Sequence, residues 1–377
     1  MGDSNTIFKT FINQKDYDGG ITRGELKLDD SITDIWKLSS NENILGPSPK
    51  AMKAIADNIS NLHEYGFRDD ALLKDAICKA TPAFTPQTIF TANGGSEILE
   101  LITRAFLTPG LECIISTPTF IAYKNLIESE GAVVVDVPLE PVHYTLNVDA
   151  VLNAITPNTR IIFITNPNNP TGTYTNKEDM DSLINRVPNH VVVVYDEVYY
   201  HFSDALDYPR AIDYINQGKN VIGVHSFSKS YGLAGIRLGY GISTKKITAY
   251  IENIQRPFMI NTLSQVAGIA ALEDLEHLNN TIDLIKTEKE WLYSEFENLG
   301  INYWPTQTNF IFLDPPMDLH LFTSKLLEFG VMVRPCDKFG APNGIRITIG
   351  NRKANTALVE ALKLIYKKDK KCQDITA

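Results

Sequence analysis

The chain has little cysteine: Cys78, Cys113, Cys336 and Cys372 are scattered through 377 residues and form no C-x-x-C pair. That spacing excludes a disulfide framework and a zinc-type metal site, and free thiols in a reducing compartment are expected. Basic charge is scarce too. The 35 Lys and Arg stand against 45 Asp and Glu, and the net charge of −10 has the wrong sign for a nucleic-acid binder. No apolar run approaches transmembrane length and no opening stretch has the charged-then-apolar order of a signal peptide, so no membrane partner and a cytoplasmic location are expected. Neither G-x-G-x-x-G nor G-x-x-x-x-G-K-[ST] occurs, which leaves dinucleotide and nucleoside-triphosphate readings without their fingerprints. Residues 1–6 fit a myristoylation template, a match so short that it carries no weight. What remains is an ordinary globular composition, 44% hydrophobic and 21% charged, long enough for one large domain and a smaller one.

Seven short β-rich runs (IFTA, CIIS, AVVVDV, RIIFIT, HVVVVYD, NVIGV and RLGYGI) alternate with helical patterns between about residues 88 and 245. That alternation predicts an α/β, doubly wound, mostly parallel sheet covered by helices on both faces. Ligands of such sheets sit beyond the carboxyl ends of the strands. Past Gly241 helical patterns dominate, with strands near Phe310, Val331 and Ile345, which reads as a smaller α+β unit. The expected division is a large domain over 40–275 and a small one from 1–39 plus 276–377, with residues 1 to about 35 as an arm laid over another surface.

The candidate chemistry falls at the strand ends. In residues 221–241 an apolar strand gives way to Ser226, Ser228 and Lys229, then a glycine-rich turn, then Arg237. A lysine among hydroxyls at the end of a buried strand is poorly hydrated, so its amine can become nucleophilic near neutral pH and form an imine with a carbonyl cofactor. The serines and the forked guanidinium of Arg237 suit that cofactor's phosphate. A surface lysine in a loop is the plainer alternative. Gly95, Ser96 and Glu97 follow a strand and open an amphipathic helix, where free backbone N–H groups can meet an anion. Asn169 lies in a loop fixed by two prolines and a glycine. Asp196 directly follows a strand expected to be buried on both faces, so its carboxylate needs a partner: a pyridinium nitrogen, an N-cap or a structural ion pair. Arg334 and Arg346 stand in short β-rich segments among apolar neighbours, either paired, aimed at an anion, or on an edge strand facing water.

The stretch S-F-S-K-S-Y-G-L-A-G-I-R at 226–237 resembles the cofactor-lysine signature of the class I and II pyridoxal-phosphate aminotransferases, most of all the histidinol-phosphate aminotransferase branch. N-P-x-N-P-T-G at 166–172 and D-E-x-Y at 196–199 resemble the same family, and the agreement in order and spacing covers residues 36–360. The resemblance implies fold type I, like aspartate aminotransferase, with a mostly parallel seven-stranded sheet. It implies pyridoxal 5'-phosphate as cofactor and a homodimer with shared active sites. Lys229 would carry the cofactor and shuttle the proton of transamination. Asp196 would hold the ring nitrogen protonated, with Asn169 and Tyr199 on the phenolic oxygen and Phe120 stacked on the ring. Gly95, Ser96, Glu97, Ser226, Ser228 and Arg237 would cradle the phosphate, joined by Tyr65 from the partner subunit. Arg346, helped by Arg334, would bind the substrate anion, the phosphate of histidinol phosphate in that branch. An amino donor and a 2-oxo acid such as 2-oxoglutarate are the implied substrates. The chain departs from the branch at Ile44, where proline is usual, at Gly66 after Tyr65, and at Phe120, where tyrosine is common. Those departures leave open a decarboxylase or lyase of the same fold. A cofactor-binding protein without turnover is a third reading, but no helix-turn-helix or basic arm accompanies the domain.

Overall fold

The computed structural model describes residues 34–66 and 70–376. The expected arm over residues 1–33 and the side chains of the basic run at 367–371 lie outside the described residues.

All seven predicted runs become strands of one sheet. In chain order the strands of the fold are β1 (Trp36–Lys37), β2 (Ile89–Ala92), β3 (Glu112–Ile115), β4 (Val133–Asp136), β5 (Thr159–Thr165), β6 (Val192–Asp196), β7 (Val221–Ser226) and β8 (Gly239–Ile242). There follow β9 (Tyr303–Trp304), β10 (Phe310–Leu313), β11 (Val331–Met332), β12 (Arg334–Pro335) and β13 (Ile345–Thr348). The large sheet runs β2-β8-β7-β6-β5-β3-β4. Its members β3 to β7 pair in parallel, whereas β8 is antiparallel to both β7 and β2. Alternate residues feed two separate cores. Ile162, Ile164, Val193 and Tyr195 pack on one face, and Ile161, Phe163, Val192 and Val194 on the other. Burial on both faces is why these strands read as unbroken apolar runs.

The reversal of β8 bears on the site. Its neighbours offer their ends to the carboxyl edge of the sheet, but β8 offers its beginning, so Arg237, just before the strand, arrives beside Ser226.

A second sheet, antiparallel in the order β12-β13-β10-β9, packs with helices Leu319–Glu328 and Leu275–Leu299 around its own core, which includes Phe310, Phe322, Leu326 and Leu358. Strand β1 pairs in parallel with β11, placing Trp36 opposite Val331, and so ties the start of the described chain to this smaller unit. Ser48 caps helix Pro49–Asn58 as its sequence suggests: its Oγ accepts from the N–H of Ala51 at 3.2 Å and donates to Asp274 at 2.6 Å. The apolar positions at helical spacing here are split: Ile55 packs against the core of the large sheet, while the others face outward. Met52, Ile59 and Leu62 are exposed, as are Tyr65 and Phe258, whose rings lie 5.2 Å apart.

Candidate active site

A cavity of about 290 Å³ opens at the carboxyl edge of the large sheet, where the smaller unit leans over it. Its sheet-side wall carries Gly95, Ser96, Phe120, Asn169, Asp196, Tyr199, Ser226, Ser228, Lys229 and Arg237. Arg334 and Arg346 line it from the second sheet. Twelve of the residues singled out in the sequence therefore meet around one space.

Burial pushes the ammonium of Lys229 down to about 7, and the guanidiniums of Arg346 and Arg237 add to the effect. Its Nζ donates to the carbonyl of Ser40 at 3.1 Å. A neutral amine near pH 7 is a nucleophile and a base, which an ordinary lysine is not. Asp196 ends β6 fully enclosed. Burial pushes its carboxyl up to about 6 against the pull of two donors, the Tyr123 hydroxyl at 2.7 Å and the Val198 N–H at 3.2 Å. Among the described residues it makes no ion pair within 4.0 Å. A cationic ring nitrogen would supply the missing charge.

The anion end of the cavity is built from a turn. Gly94, at φ +84°, precedes helix Gly95–Phe106, whose opening N–H groups face outward from the helix start. A side chain at position 94 would collide with the guanidinium of Arg237, so only glycine lets that charge close over the turn. Ser226 and Ser228 stand opposite, with the N–H of Ser228 donating to Ser226 Oγ at 3.1 Å. Helix dipole, hydroxyls and guanidinium together suit a phosphate. These donors and Asp196 fit pyridoxal 5'-phosphate.

Arg346, on β13, donates through Nη1 to Asn169 Oδ1 at 2.6 Å and through Nη2 to the carbonyl of Ser39 at 2.8 Å. With its oxygen so engaged, the Asn169 amide turns its NH₂ toward the cavity as a donor. The guanidiniums of Arg346 and Arg334 each lie 5.4 Å from the ring centre of Phe339.

Two expected residues lie elsewhere. The side chain of Glu97 does not line the cavity: its carboxylate accepts from the backbone and side-chain nitrogens of Asn93, at 2.6 and 2.7 Å, and braces the turn, so a part in an anion site would fall to its backbone in the first turn of the helix. Tyr65 is 88% exposed and does not line this cavity. Sequence reasoning missed Tyr123 and Phe339, and read the segment from Ser39 to Pro47 only as a crossing between the two units, without site roles for 39–41. Tyr123 sits in an amphipathic helix and looks like core, and Ser39 and Ser40 act through backbone carbonyls that leave no mark in a side-chain pattern.

Similar proteins agree with this geometry. The model of the family Aminotransferase class I and II matches residues 33–362. A histidinol-phosphate aminotransferase of Moorella thermoacetica is 37% identical over 358 residues, covering 95% of this chain and 92% of that one. One from Akkermansia muciniphila is 39% identical over 330 residues, covering 88% and 90%. Among solved structures, the histidinol-phosphate aminotransferase of Sinorhizobium meliloti in complex with pyridoxal-5'-phosphate superposes with a TM-score of 0.80 at 24% identity, over 88% of this chain and 91% of that one. The Clostridium acetobutylicum histidinol-phosphate aminotransferase superposes with a TM-score of 0.82 at 25% identity, over 89% and 100%. With its fold, its cavity and these likenesses in agreement, the chain belongs to the class I and II aminotransferases.

Proposed function

We propose that the chain transfers an amino group from an amino-alcohol phosphate of the histidinol-phosphate type to a 2-oxo acid such as 2-oxoglutarate, using pyridoxal 5'-phosphate. The observation that carries this reading is a near-neutral lysine amine and a buried carboxylate facing one cavity, with an anion cradle on the sheet and two arginines on the smaller unit. Curated relatives at 37–39% identity bear that name.

When bound, the cofactor supplies an electron sink for the charge left as the substrate Cα loses its proton. The rest belongs to the chain. Lys229 Nζ would hold the cofactor and, once released, would serve as the base for the Cα proton. Asp196 holds the proton on the ring nitrogen. Asn169 and Tyr199 would donate to its phenolic oxygen, and Phe120 would pack on its ring. Gly95, Ser96, Ser226, Ser228 and Arg237 hold the phosphate. Arg346, with Arg334, holds the substrate anion and so fixes which Cα bond faces the base.

Supplying histidinol phosphate and 2-oxoglutarate to the cofactor-loaded protein should yield glutamate. Carbon dioxide or pyruvate in its place would mean a decarboxylase or lyase. Replacing Arg346 by Ala is expected to raise KM for the phosphate amine by about 100-fold or more, the cost of removing a hydrogen-bonded charge partner. Cofactor affinity should change by less than about tenfold. Equal losses of both would remove Arg346 from substrate binding.

The amine's lowered pKa gives a separate test. Capture of the cofactor by the cofactor-free protein should quicken about tenfold per pH unit below pH 7 and level off above it. A rate that climbed on through pH 9 would mean an ordinary lysine.

We further propose a homodimer in the cytoplasm, and a domain division at 39/40 and 275/276. The dimer is supported by the exposed apolar group of Met52, Ile59, Leu62, Tyr65 and Phe258. Among the described residues no helix is long and apolar enough to cross a membrane. The division is supported by separate cores, Leu38 packing in that of the second sheet and Ala271 and Leu272 in that of the first.

A further inference from the structure

We propose that Asn41 is a positioning residue for Tyr199: it fixes the direction of the Tyr199 hydroxyl, and thereby makes Tyr199 a proton donor toward the cofactor's phenolic oxygen. The proposal rests on the cofactor assignment above and adds to it a residue to which the sequence reading gave no role.

Residues 39–41 reach the heart of the cavity, and each holds a different group. The carbonyl of Ser39 accepts from Arg346, the carbonyl of Ser40 accepts from Lys229, and Asn41 Nδ2 donates to Tyr199 Oη at 3.0 Å. Asn41 is buried and held at φ +54°, a left-handed conformation that non-glycine residues seldom adopt. Three further bonds hold it there. Its N–H donates to Thr348 Oγ1 at 2.9 Å, that hydroxyl donates back to Asn41 Oδ1 at 3.3 Å, and Asn309 Nδ2 donates to the Asn41 carbonyl at 3.1 Å.

The circuit orders the protons. Because Oδ1 receives the Thr348 proton, the NH₂ end of the amide must face Tyr199. An amide NH₂ can only donate, so Tyr199 Oη accepts there and keeps its own proton for another partner. The Tyr199 ring is set edge-on against Phe310, centroids 5.2 Å apart, which limits where that hydroxyl can swing. The remaining direction is the cavity that Tyr199 lines. Without the amide, the tyrosine proton would be free to turn toward residue 41, and its bond to the phenolic oxygen would weaken.

The test is a pH titration of the absorbance of the cofactor-loaded protein. A donor on the phenolic oxygen offsets the negative charge that retains the neighbouring imine proton, so weakening it moves the midpoint upward. Asn41→Gly suits the φ of the site and removes only the amide, so the fold is expected to survive. It should raise the midpoint by about half a pH unit and lower kcat about fivefold, with the cofactor retained. Thr348→Val, which frees the amide to flip, should move the midpoint the same way by a smaller amount. In a Tyr199→Phe background neither change should have any further effect, because the two residues act as one unit.

Unchanged midpoints in both variants would overturn the proposal, as would shifts that persist undiminished in the Tyr199→Phe background. A wild-type protein that acquires no visible band with pyridoxal 5'-phosphate would instead overturn the cofactor assignment itself.

Discussion

Lys229→Ala is expected to lower the rate of amino transfer by at least about 10⁴-fold, because in the proposed function one atom, Nζ, is both the attachment point and the base. The cradle at Gly95, Ser226, Ser228 and Arg237 does not depend on that atom, so the variant should still bind the cofactor without a covalent link. Reduction with borohydride, followed by mass measurement, should add the cofactor's mass to the wild-type chain and leave the variant unmodified. A variant that kept a trappable adduct, or more than a few per cent of its rate, would move the chemistry to another amine.

Asp196→Asn is the second large effect. The substitution preserves shape, leaves a side-chain oxygen for the Tyr123 hydroxyl or the Val198 N–H, and removes the charge. Losing the charged partner of a buried cation costs about 2–5 kcal/mol, so kcat should fall by about 10²–10³-fold. The colour of the bound cofactor should persist, because Lys229 and the cradle are untouched. A single-turnover measurement of the first half reaction isolates the step. A rate within tenfold of wild type would mean that the ring nitrogen needs no anion here.

The sequence and the structure agree most closely where burial is most complete. All seven β-rich runs became strands; in β5, β6 and β7, packed on both faces, continuous burial demands continuous apolar residues, whereas β4 at the sheet edge is partly exposed. Lys229, Asp196 and Asn169 could be found because each is a polar group where an apolar strand or a proline-fixed loop ends, an expensive placement without a ligand. Other parts of the site left no such trace. Tyr123 occupies a core-facing position of helix Ala122–Ser129, and only the fold brings its hydroxyl to Asp196. Ser39 and Ser40 contribute carbonyl oxygens, which every residue has. The direction of the Glu97 carboxylate, back to Asn93 and away from the cavity, was likewise not legible in the sequence. The stripe of Met52, Ile59 and Leu62 has the period of a core helix, yet it faces outward. Periodicity reports that a face is to be covered and is silent on what covers it.

The antiparallel course of β8 has a mechanical consequence for any engineered or natural variant. A parallel strand at that position would have required a crossover of about a dozen residues or more after β7. The connection that is present, residues 227–238, is about as long but turns back at the same edge of the sheet instead of crossing it, so the proposed covalent anchor at 229 and charged anchor at 237 ride on one bow of chain. Gly232 sits within that bow at φ +67°, where a side chain would collide with the backbone of Gly46. Lengthening residues 230–236 by even one residue would alter the bite between the two anchors while leaving every strand in place.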